Sequence, residues 1–161
     1  MNIRRYEIGD REKVKQLLIE LQEYVVEIDK FQLNTIAVSY REDYFKYMMR
    51  DCELSQGRIF VAEEDKKIVG FIAGHVQTYT ERDKLDYICP KKGVIAELIV
   101  SKDSRSKGTG KRLLDKMEEY FKSIDCEFVQ LDVFAYNDVA KKFYAKNDYE
   151  ERMTTLFKKL K

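Results

Sequence analysis

The stretch of this chain best suited to chemistry is Arg105-Ser106-Lys107-Gly108-Thr109-Gly110, set between the apolar run VIAELIV and the amphipathic segment KRLLDKMEEYF. Glycines at 108 and 110 open backbone conformations closed to other residues and let a ligand approach closely. The first N–H groups of a helix lack intrahelical acceptors, and the helix dipole lends them positive charge. A pyrophosphate fits such a corner, with Arg105, Lys107 and Lys111 adding charge. The same glycine pair could simply turn a strand into a helix. Two familiar phosphate loops are ruled out by the residues themselves. A Walker A loop needs Gly where Arg105 stands and Ser or Thr where Arg112 stands, and a dinucleotide fingerprint needs Gly or Ala at Leu113.

Other chemistry is limited by scarcity. His75 is the sole histidine, so a multi-histidine metal site cannot be built and a Ser-His-Asp mechanism would have to run through it. Cys52, Cys89 and Cys126 form no close pair, which argues against a disulfide framework or a Cys-rich zinc site and for a reducing cytoplasm. No metal is expected.

Periodicity supplies the elements that position these groups. NIRRYEI reads as a short strand. From Asp10 to Asp29 the residues Val14, Leu17, Leu18, Leu21, Val25 and Ile28 form one helical stripe. A second, less regular helix follows Ser39, with Tyr40, Tyr44, Tyr47 and Met48 available for packing. RIFVAEE and KIVGFIAGHV form a hairpin, residues 78–93 an exposed loop, and VIAELIV a buried strand. A helix runs from Lys111 to Ser123. EFVQLDVFA alternates, placing Val129, Leu131 and Val133 on one face and Gln130, Asp132 and Phe134 on the other. A short helix follows Asn137, which suits an N-cap, and TTLFKKL reads as a closing strand. The order β-α-α-β-β-β-α-β-α-β predicts a mixed α/β sheet in one domain over residues 1–161.

Four ordered segments together resemble the GNAT superfamily of acetyl-CoA-dependent N-acetyltransferases. They are the hairpin RIFVAEEDKKIVGFIAG, the strand ELIV, the loop Arg105 to Gly110 matching R/Q-x-x-G-x-G/A, and LDVFAYNDVAKKFYAKNDYEER. In the last, Asn137, Ala140 and Tyr144 fall on the family's N-x-x-A-x-x-x-Y pattern, while the usual Gly-Phe is replaced by Asp148-Tyr149. The resemblance implies a GNAT fold with splayed fourth and fifth strands and acetyl-CoA in the gap. The pantetheine arm would pair with Leu98, Ile99 and Val100, and the pyrophosphate would meet N–H groups from Ser106 to Lys111, with Arg105, Lys107, Gly108, Thr109 and Gly110 forming the loop. Asn137 matches a side-chain contact to the pantetheine, a role compatible with capping. An amine would attack the thioester directly, with the Leu98 N–H facing the developing oxyanion. Tyr144 matches the acid that protonates the leaving thiolate. The general base is left between Glu97 and Asp132.

The resemblance implies a primary amine as acceptor, small-molecule or peptide, with a small molecule favoured over a protein. Glu20, Glu23, Glu27 and Asp29 against Lys30 leave a local net charge of −3 that would suit a cationic one, though such a run is also the ordinary solvated face of a helix. Thirty Lys+Arg against 29 Asp+Glu give a net charge of +1, too small to steer nucleic acid or an anionic membrane to the surface. No apolar run approaches the ~18 residues of a membrane span, and MNIRRYEIGD does not read as a signal peptide. A homodimer using the closing strand is compatible with the resemblance. The competing reading is a non-catalytic acyl-CoA sensor that keeps the loop and has lost the chemistry.

Overall fold

Apolar spacing of three and four residues dictates the longest element, α1 (Arg11–Ile28), whose Val14, Leu17 and Leu18 are wholly buried. The computed structural model describes residues 1–160. A second helix, α2 (Tyr40–Leu54), lies beside α1 on the same sheet face and buries Phe45 and Met48. Lys15 of α1 is buried and donates to Glu42 of α2 at 2.6 Å and to Glu12 at 3.0 Å, locking the two helices together.

The sheet runs β1 (Asn2–Arg5), β2 (Arg58–Glu64), β3 (Lys67–Val76), β4 (Lys92–Val100) and β5 (Phe128–Gln130), in spatial order β1-β2-β3-β4-β5. The first four strands are antiparallel, and β5 joins β4 in parallel. The β2–β3 hairpin turns through Asp65 (φ 49) and Lys66 (φ 61), a two-residue loop whose left-handed residues match the strands' twist. A four-residue helix, α3 (Asp83–Asp86), interrupts the expected loop.

The opposite face is covered by α4 (Thr109–Ser123), which buries Leu113, Leu114, Met117 and Phe121 against Phe60, Ile72 and Ile95. Side chains of this size contribute about 1.5–3 kcal/mol each when fully buried. The ring of Phe121 rests directly on Gly93 of β4. A Cβ added there would lie 2.5 Å from the ring, so Gly93→Ala is expected to lower stability by about 1–3 kcal/mol. Thermal unfolding checks this; an unchanged melting temperature would show that α4 does not sit so close.

Last in the chain is α5 (Asp138–Ala145), capped as expected by Asn137, whose side-chain oxygen accepts from the Ala140 N–H at 3.1 Å. Asp148 stands at φ 63, the left-handed position that the family's glycine would occupy, and Tyr149 packs its ring 5.6 Å from that of Tyr144.

Two expectations are corrected. The fifth strand ends at Gln130 instead of continuing to Ala135, because beyond Gln130 it diverges from β4 and finds no ladder partner. The closing strand is absent: residues 151–160 carry no secondary structure and are exposed, with the Phe157 ring set 5.5 Å from Phe31. The fold is otherwise the mixed α/β sheet with splayed fourth and fifth strands.

Candidate active site

Pairing between β4 and β5 is confined to Lys92–Val94 against Phe128–Gln130, while β4 runs on to Val100 held only by β3. A wedge-shaped gap opens between them. The Ser101 N–H donates to the Val69 carbonyl on the β3 side at 2.8 Å. Antiparallel alternation therefore turns the peptide groups of Leu98 and Val100 the other way, into the gap. The Val100 carbonyl accepts from Arg105 Nε at 3.0 Å, while the Leu98 groups have no partner on the gap side among the described residues. The Ile99 side chain lies in the core under α1 and α2.

A bulge sets the direction of Glu97. Ala73 pairs with Glu97 but Gly74 pairs with Ile95, so Ala96 is an extra residue in β4. Without it Ile95, Glu97 and Ile99 would share one face. With it Ile95 joins the core under α4, while Glu97 turns toward α2.

There Glu97 accepts a hydrogen bond from the Tyr44 hydroxyl. Burial pushes its carboxyl up to about 7, and the Tyr44 bond restrains the rise. The Tyr40 ring stacks on Tyr44 with centroids 4.8 Å apart. Tyr144 of α5 is raised to about 12, first by burial and then by the charge of Glu97. Burial and the same charge raise Tyr40 and Tyr44 well above the ordinary phenol value. Glu97 thus lies within electrostatic reach of three tyrosines. Asp132, the other candidate base, is exposed beyond the end of β5 and has no hydrogen bond or ion pair among the described residues. The structure separates the two carboxylates.

The loop before α4 forms the far end of the gap. Ser106 (φ 62) and Gly108 (φ 80) are both left-handed, and the N–H groups from Ser106 to Lys111 have no protein acceptor among the described residues. α4 begins with no capping side chain and no acid in its first turn, so this ring of donors faces outward uncompensated. Thr109 is buried and donates to the Ser104 carbonyl at 3.3 Å, while Lys111 pairs with Asp115. The two glycines differ in purpose. A Cβ on Gly110 would make ordinary contact with Phe143 at 3.5 Å, whereas Gly108 has open space but a backbone angle that side chains resist. Gly108→Val is expected to cost about 1–2 kcal/mol in stability from that strain. It should also weaken coenzyme A binding at least about tenfold, as read by calorimetry. Unaltered affinity would place the nucleotide elsewhere.

Across the gap, Tyr24 of α1 donates to the Asn137 side-chain oxygen at 3.2 Å, tying α1 to the start of α5. Of the acidic run, Glu20, Glu23 and Glu27 line an open groove shared with Lys13, Lys66, Lys67 and Lys102. Asp29 does not belong to that face. It is buried and accepts from the N–H groups of Phe31, Leu33 and Asn34 and from the Asn34 side chain, which hold its carboxyl low and fix the loop into α2.

Sequence reasoning assigned Tyr40 and Tyr44 to packing and missed their polar role. A signal existed: buried tyrosine hydroxyls need acceptors, so tyrosines where a helix would place Leu or Phe announce a polar partner beneath.

The acetyltransferase (GNAT) family model matches residues 20–149. An uncharacterized N-acetyltransferase of Methanocaldococcus jannaschii is 33% identical over 94 residues, 58% of this chain and 53% of that protein. The chain thus matches only about half the length of that relative. Among solved structures, a point mutant of a Bacillus halodurans protein aligns over 99% of both chains with a TM-score of 0.85 at 20% identity. An aminoglycoside N-acetyltransferase in complex with CoA aligns over 99% of both chains with a TM-score of 0.70 at 14% identity. At those identities the likeness is one of fold.

Proposed function

Because the chain belongs to the GNAT acetyltransferase family, we propose that it transfers the acetyl group of acetyl-CoA to a primary amine by direct attack on the thioester. The observation that carries this reading is Glu97, a carboxylate raised to about 7 and set among tyrosines beside the gap between β4 and β5. The solved neighbour with CoA makes that nucleotide the first ligand to test.

An alkylammonium ordinarily titrates near ~10.4, so a proton must leave before attack. Glu97 takes it, directly or through water, and a carboxylate near neutrality is well matched to the task. The amine nitrogen then bonds to the acetyl carbon as the carbon–sulfur bond breaks. The free N–H of Leu98 faces the carbonyl oxygen as negative charge gathers there. Tyr144, kept protonated by its raised value, supplies the proton for the departing sulfur. Arg105, Ser106, Lys107, Gly108, Thr109, Gly110 and Lys111 hold the pyrophosphate, while Leu98 to Val100 and Asn137 hold the pantetheine arm as an added strand would be held.

The test is a panel of small amines and amine-bearing peptides incubated with acetyl-CoA, read by free thiol and by product mass. Thiol release with acetylated product supports the transferase. A rise in melting temperature with acetyl-CoA but no thiol from any amine would convert the reading to a sensor.

A further inference from the structure

A second carboxylate shares the cavity with Glu97. The cavity lies between α2 and the bulged part of the sheet, and Tyr44, Tyr47, Asp51, His75, Ala96 and Glu97 line it. Tyr44 and Asp51 are seven residues apart on α2, two turns and about 10 Å along the helix. Asp51 is exposed where it borders the cavity, whereas Glu97 is half-buried within it.

The electrostatics of the cavity are unbalanced. Asp10, Glu12, Glu42 and Glu63 on neighbouring elements are each paired with an arginine or lysine. Asp51 and Glu97 are in no ion pair among the described residues, and neither Lys nor Arg lines their cavity. The rest of the lining is Tyr44, Tyr47, Met48, Cys52, Ala96 and His75, the last its one basic side chain. Tyr47 is 62% exposed at the mouth, where its ring can take a passing cation. Two carboxylates on one lining that is otherwise mostly aromatic and apolar are the complement of an aliphatic chain with a cationic group at each end.

Resting on Glu97 as the general base, we propose that the preferred acceptor is a diamine or longer polyamine. Its reacting amine would sit at Glu97 and its second, protonated amine at Asp51. An amine with one charged end would leave Asp51 without a counter-charge and gain nothing from it.

The experiment compares hexylamine with hexamethylenediamine as acceptors, using the full chain and saturating acetyl-CoA. The expected kcat/KM is about tenfold higher for the diamine. Asp51→Asn should bring the diamine close to hexylamine while leaving the hexylamine rate unchanged, and Asp51→Glu should restore the preference. Equal rates for the two amines in the unaltered protein overturn the inference and leave the transferase reading standing. So does a diamine preference that survives Asp51→Asn, including one that survives because both substrates slow in parallel. Absence of thiol release with every amine overturns both readings together.

Discussion

Glu97→Gln is expected to lower kcat/KM for the best amine by about a hundred- to a thousandfold while leaving coenzyme A affinity within about threefold. Gln keeps the shape and can still accept from Tyr44, so the loss isolates the proton-accepting role. The pH profile supplies the sharper check. With the carboxyl raised to about 7 from an ordinary 4.5, activity should climb through neutrality as Glu97 ionises, and the variant should lose that limb. Stability must move oppositely. Between about 4.5 and 7 the folded carboxyl retains a proton that the unfolded chain has released, so its contribution declines as pH rises across that window. At pH near ~8 the Gln variant should therefore melt higher than the parent, with the advantage gone near ~4. A variant that retains activity with the neutral limb intact would assign the base elsewhere.

Tyr144→Phe is expected to cut kcat by about ten- to a hundredfold with the acetyl-CoA KM nearly unchanged. The electrostatics explain how one site can hold both a base and an acid. While Glu97 is charged it helps keep the Tyr144 phenol raised to about 12, and so protonated. In the proposed reaction, the charge on Glu97 vanishes when it accepts the amine's proton, and Tyr144 then becomes a better donor as the sulfur departs. That reaction would prime base and acid in sequence. With Gln at 97 the Tyr144 phenol loses that charge and stays the better donor, so Tyr144→Phe should still lower turnover in the Glu97→Gln protein, whereas turnover untouched by Tyr144→Phe in the parent removes the acid assignment.

Much of this was legible in the residues, for identifiable reasons. The stripe of Val14, Leu17 and Leu18 sets α1, and the alternation in RIFVAEE and KIVGFIAGHV sets a hairpin to within a residue at its turn. The loop from Arg105 to Gly110 was legible as a glycine-bearing turn from strand into helix, and Gly108 takes there the left-handed conformation that glycine adopts without strain. The bulge at Ala96 was not, since in ELIV no glycine or proline marks it and only pairing with β3 reveals which residue is extra. That is why Glu97 and Asp132 looked alike as strand carboxylates although one is half-buried beside tyrosines and the other faces water. The early end of β5 was likewise hidden. EFVQLDVFA keeps the composition of a strand after its partner has left, because strand propensity reflects a suitable surface and cannot guarantee a neighbour.

The wedge between β4 and β5 has a consequence for how the protein behaves in storage. A sheet normally confines its unsatisfied margin to the outside, whereas here one lies in the interior, where it could template pairing with a foreign chain. A nucleotide thiol inserted there would fill the vacancy, so ligand-loaded protein should resist self-association on standing better than ligand-free protein.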